Sequence, residues 1–145
     1  MEEFSSANFE IFAHEPTEVY LGRGGVYMVD SAYNATAVIN RLKPDKLLIP
    51  YQNLDFVDRW IEFFIYDDFG DAFQTLWGFN YVYFNLTYDH RTLWDQGFLS
   101  IYYWDALQRK WIICPSFLVE DENPPHGRAA CVMQKFGTYG LAMNK

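Results

Sequence analysis

Short apolar runs recur along this chain, each stopped by Gly, Pro, Asp or Asn, and their spacing is that of strands rather than helices. Glu18–Gly22 and Gly25–Asp30 read as two short strands around a Gly22-Arg23-Gly24-Gly25 turn. Thr36–Ile39 is a short β-branched run, and Pro44-Asp45 turns the chain before Lys46–Ile49. From 53 to 66 the pattern is double. Leu54, Val57, Ile61, Phe64 and Ile65 fall at helical spacing, with Asn53 or Asp55 as a cap, whereas Arg59–Tyr66 is β-branched and aromatic. A turn and then a strand from about Arg59 is the favoured reading, with one short helix near 53–60 as the alternative.

Phe79–Tyr88 is the clearest strand: Phe79, Tyr81 and Tyr83 face one way, and Val82, Phe84 and Leu86 the other. Apolar residues on both faces predict a central strand. Asp89-His90-Arg91 is expected to turn it into Phe98–Trp104, its antiparallel neighbour. Trp111–Cys114, Arg128–Met133 and Phe136–Met143 complete the series. The expected fold is all-β, an antiparallel β-sandwich of about 8–10 strands. It forms one domain over 19–145, behind an N-terminal arm, 1–18, that either adds an edge strand or stays mobile.

Composition narrows the function classes. With 50% hydrophobic and 20% aromatic residues, the chain can bury a core and is not disordered. Rings left exposed would be anchors for proteins or sugars. The net charge is −8 and the 11 Lys and Arg are scattered, which speaks against nucleic acid and anionic membrane surfaces. No apolar run approaches the ~20 residues of a membrane span, so no membrane insertion is expected within the chain. Cys114 and Cys131 fall in consecutive expected strands, where antiparallel pairing would set them close and allow a disulfide if their Cβ vectors face.

The last third has a recognisable order: Tyr103-Trp104-Asp105, Trp111 with Cys114, Cys131, Lys135-Phe136-Gly137, then Tyr139-Gly140-Leu141. It resembles the GPS motif that closes the GAIN domains of adhesion receptors and polycystin-like proteins. It is also similar to sandwich domains of ankyrins and bacterial surface proteins. Upstream, Gly24-Gly25-Val26, Ile49-Pro50 and Leu54 resemble the opening of the same families, so the likeness runs from about Gly22 to Met143. The resemblance implies a sandwich whose last strand is buried, and a tripeptide at which the family cuts itself. There a base activates the next hydroxyl, which attacks the preceding carbonyl. Here Lys135 takes the place of the base, Gly137 has no side chain to attack with, and Thr138 stands one residue too late. Self-cleavage is therefore expected to be absent. Ile101 and Met133 occupy two of the motif's cysteine positions, leaving at most one bridge.

Other chemistry is sparse. The glycine turn lacks the Lys-Ser/Thr ending and following helix of a phosphate loop. Asp67, Asp68 and Asp71 are Ca²⁺-type ligands around Gly70, but without the spacing or bidentate Glu of a calcium loop, so a solvated turn is expected and no metal or cofactor. His14, His90 and His126 lie far apart, and His126 with a cysteine is a weak thiol dyad. Asn34-Ala35-Thr36 and Asn85-Leu86-Thr87 are glycosylation sequons. Met1–Ser6 lacks the basic and apolar regions of a signal peptide. The expected home is extracellular or cell-surface, as part of a larger or processed protein, with the cytoplasm as the alternative.

The expected function is a non-catalytic structural or adhesion module that binds other proteins. The alternative is a carbohydrate-binding sandwich in which Trp77, Trp94 or Tyr103 stack on sugar rings, and the weaker one a hydrolase with two facing carboxylates. A coplanar exposed strip of rings beside Asp or Asn would mark the sugar binder.

Overall fold

The computed structural model describes residues 4–74, 79–120, 124–133 and 135–144. Within them the chain makes twelve strands and one helix. In order these are β1 (Phe4–Ile11), β2 (Thr17–Leu21), β3 (Gly24–Met28), β4 (Ala35–Leu42), β5 (Leu54–Phe56), β6 (Trp60–Tyr66), β7 (Asn80–Asn85), α1 (Tyr88–Asp95), β8 (Leu99–Asp105), β9 (Lys110–Cys114), β10 (Ser116–Val119), β11 (Arg128–Val132) and β12 (Gly137–Asn144). They form two antiparallel sheets packed face to face. The larger has seven strands in the order β1-β4-β6-β12-β8-β9, with β5 also paired to β12; the smaller runs β10-β11-β7-β3-β2.

Period-two alternation decides what faces the interior. Ala37 and Ile39 of β4, Ile61, Phe63 and Ile65 of β6, and Tyr139 and Leu141 of β12 pack against Val26, Val82, Phe84 and Cys131 of the other sheet. Arg41 holds the same inward phase on β4 and is 4% exposed.

A second cluster packs on the outer face of the seven-stranded sheet. Leu54, Trp60, Trp111 and Ala142 are its buried members, and Tyr51, Phe56, Tyr102 and Trp104 pack against them. The 43–53 segment lies over this cluster like a clasp. Trp111 Nε1 donates to Pro50 O (2.8 Å), Trp111 N to Gln52 Oε1 (2.9 Å), and Gln52 Nε2 to Arg109 O (2.8 Å).

The favoured reading of 53–66, a turn and then a strand from about Arg59, holds as β6 (Trp60–Tyr66), and its helical alternative near 53–60 does not form. Gln52 and Asn53 have φ of 54° and 69°, and Leu54 N bonds to Tyr51 O, so a tight turn leads directly into β5. The helix is α1, where a turn was expected. Thr87 caps it by accepting from His90 N (3.1 Å), and Leu93 and Trp94 lie against the main core. Finally, β7 and β8 are not neighbours. β7 pairs with β3 and β11, and β8 with β9 and β12, because α1 carries the chain from one sheet to the other. Residues 4–11 of the N-terminal arm form β1, paired to β4 along its whole length as an edge strand.

Candidate functional site

The β11–β12 connection holds the residues at the cleavage position of the resembled motif. Tyr139 is fully buried, and its hydroxyl donates to Lys135 O (2.7 Å) while accepting from Lys135 N (3.1 Å). One phenol thus fixes the backbone four residues upstream. The Lys135 ammonium lies 3.3 Å from Asp105 Oδ1 and 5.3 Å from the centre of the Tyr103 ring. Asp105 also accepts from Leu107 N, Gln108 N and Gln108 Nε2, and the backbone bond from Gln108, with Lys135 and the bond from Leu107 N behind it, holds its carboxyl below the usual range against the opposing effect of burial. Phe136 packs on Phe63, and Gly137 has φ of 131° with open space where a side chain would begin. At this corner a lysine is held by a carboxylate, and Gly137, at the nucleophile position, carries no side chain.

Cys114 and Cys131 are bonded to each other, with Cα atoms 6.0 Å apart. The expected route to that pairing is corrected, since they are not on adjacent strands. Cys114 lies on β9 of one sheet and Cys131 on β11 of the other, so the bridge crosses the core. Both are fully buried, which removes the thiol dyad with His126.

Of the three aromatics expected to stack on sugar, Trp77 lies outside the described residues. Trp94 sits against the core from α1, and Tyr103 packs on Tyr139 with ring centres 5.9 Å apart. In the acidic turn, Asp67 Oδ1 accepts from Phe69 N and Asp71 N, both at 2.9 Å, so that carboxylate is spent on the turn. Among the described residues no group of three or more His, Cys, Asp or Glu is placed to hold a metal ion. Asn34 is exposed, its Oδ1 accepting from Ala13 N (2.7 Å); Asn85 is half-buried at the end of β7, and the hydroxyl of Thr87 is taken by the helix cap.

What the sequence reading missed is the outer face of the five-stranded sheet. Tyr27, Tyr81, Phe117, Val119 and Val132 alternate outward there, and Tyr27 and Phe117 are 39% and 41% exposed. All but Val132 line a groove of about 250 Å³, together with Tyr83 and Arg128. Tyr83 lies flat across β3 because Gly25 has no Cβ, which would come 2.7 Å from its hydroxyl. That hydroxyl donates to Glu18 Oε1, and the Arg128 guanidinium covers the ring at 4.5 Å. Burial first, then the bond to Glu18, push the phenol well above its ordinary pKa, so it stays a donor. The signal was present in Tyr27, Tyr81 and Tyr83, but only the pairing of β3, β7 and β11 shows that they share a face.

Among the described residues no helix is long and apolar enough to cross a membrane. No family model matches the chain, and no curated protein does.

Proposed function

We propose that this chain is a non-catalytic β-sandwich interaction module, of the non-cleaving GAIN-like kind, that binds other protein through the outer face of its five-stranded sheet. The observation that carries the reading is the contrast between the two outer faces. One carries its own aromatic cluster under a clasp; the other leaves the rings of Tyr27 and Phe117 in water around a groove. Solvent-exposed rings with a central arginine are the composition of protein-recognition surfaces. The sugar-binding alternative asks for a flat strip of rings, whereas Tyr81 and Phe117 meet edge-on at 89°. The inter-sheet disulfide supports an oxidising, extracellular setting.

The test is retention of proteins from a source extract on immobilised wild type and on a Tyr27→Ser/Phe117→Ser variant, run beside a glycan array. A protein partner held by the wild type and lost by the variant supports the reading. Equal retention, or glycan binding that the variant abolishes, overturns it. Intact-mass measurement after long incubation should give one uncut chain, and two fragments meeting near Phe136 would end the non-cleaving assignment.

A further inference from the structure

Arg128 is the one charged residue among the described residues that line the aromatic groove. The strands of the five-stranded sheet hold this single cation and a single carboxylate, Glu18 on β2. Glu18 does not pair with it, because its Oε1 takes the Tyr83 hydroxyl instead. Glu120, the acid that follows β10, is bound to Arg91. Among the described residues Arg128 makes no ion pair, and its buried Nε has no hydrogen-bond partner in the protein. What it touches is the Tyr83 ring, 4.5 Å away.

A cation over a ring recovers part of the cost of drawing a guanidinium out of water, but it leaves the fork of N–H donors without an acceptor. Folding does not call for a charge here. Ala129 and Cys131 face the core, so Arg128, Ala130 and Val132 share the outward phase of β11, and the other two are neutral. A half-buried guanidinium with its fork unused is set up for a carboxylate, which it meets in two-point contact.

The surroundings say what else comes with that carboxylate. The guanidinium lies over Tyr83, and the next outward position along β7 is Tyr81, with Tyr27 opposite it and Phe117 edge-on to it. Outward positions on a strand are two residues and roughly 7 Å apart. The groove holds about 250 Å³, less than the roughly 300–1,000 Å³ of pockets that enclose a whole small molecule. It takes side chains of a larger partner.

We propose that the groove recognises an extended segment of a partner protein, with Arg128 pairing with a carboxylate and the rings of Tyr27, Tyr81 and Phe117 holding an apolar side chain two residues away. The inference rests on the protein-binding reading of this face and adds the sequence preference of the partner. The net charge of −8 repels acidic segments at long range, an effect that salt screens, whereas the short-range pair in the groove persists.

The test is an array of random short peptides, displayed with free and with amidated carboxyl termini and probed with the full chain at physiological salt. Enriched peptides are then titrated by calorimetry into wild type, Arg128→Gln and Tyr27→Ser/Phe117→Ser, with amide shifts of the wild type followed in parallel. Support is enrichment of a carboxylate two residues from an apolar side chain, with shifts at 81–83 and 128–130. Binding should weaken at least tenfold in Arg128→Gln, and as much when the peptide's carboxylate is replaced by its amide. The two displays tell a terminal carboxylate from a side-chain one. Apolar peptides without a carboxylate, held equally by Arg128→Gln but lost by the ring variant, overturn the inference and leave the protein-binding reading standing. Peptides indifferent to the ring variant overturn both. No enrichment, or a dimer in light scattering that Arg128→Gln dissolves, which would seat a second copy in the groove, overturns the inference. Wild-type shifts confined to other residues do the same, whether or not Arg128→Gln folds.

Discussion

Gly140 shows how one missing atom shapes an element. Its position on β12 faces the second cluster, and a Cβ there would come 2.5 Å from Phe56 Cε1 and 3.0 Å from Trp60 Cδ1. Its φ lies outside the left-handed region, so any cost of a side chain is packing rather than backbone strain. Gly140→Ala should lower unfolding free energy by about 1–3 kcal/mol, the usual range for overpacking. Removing the obstructing ring should recover part of the loss, so Gly140→Ala with Phe56→Ala should cost less than the two changes summed. Urea unfolding of the four chains checks this, and strict additivity would mean that the ring is not what Gly140 accommodates. This position was named in the sequence as part of a motif, but nothing in one dimension tells that its neighbour is Phe56.

At the scale of elements, the apolar runs were legible and their partners were not. Val82, Phe84 and Leu86 announce the inward face of β7, yet its antiparallel neighbours, β3 and β11, lie far away in sequence. α1 was hidden because its eight residues are mostly polar, with none buried, and only Thr87 signals a start. Arg41 was passed over because the β-branched run was ended at Ile39, two residues short; the alternation Ala35, Ala37, Ile39 continues to it. The missed helix also carries a pH dependence. His90 Nδ1 is buried without a partner in the protein, and burial, opposed mainly by nearby Asp58, holds its pKa below 6.5. The unfolded chain therefore binds a proton that the folded one refuses, and stability rises with pH across that window. It is fully present above pH 6.5 and drains away as pH falls to the depressed folded value. Urea midpoints taken between pH ~7 and pH ~5 should fall for the wild type and stay flatter for His90→Gln. Asp105, also depressed, sheds its contribution only below 3.8, outside the pH range of that comparison. A wild-type midpoint unchanged over the upper window would remove His90 from the account.

For the whole molecule, the question is what holds two sheets together when the chain crosses between them so often. Apolar contact between the sheets is the main term, and the bridge adds a covalent tie near one side, from β9 on the edge of the larger sheet to β11 inside the smaller. A disulfide acts chiefly by restricting the unfolded chain, and a closed loop of this length, set by a separation of 17 residues, is worth about 3 kcal/mol. The double change Cys114→Ala/Cys131→Ala should therefore lower the unfolding free energy by about that amount while leaving a single cooperative transition. Access supplies a second measurement. Both sulfurs are buried to 0% exposure, so a thiol reductant reaches them only when the sheets part. In native buffer, the rate of reduction followed by intact mass should level off as reductant is raised, at the rate of global opening. A rate that climbs linearly with reductant would mean that the bridge is reached by a local motion. The β9 edge, with Ile113 already exposed beside Cys114, would then move independently of the sandwich.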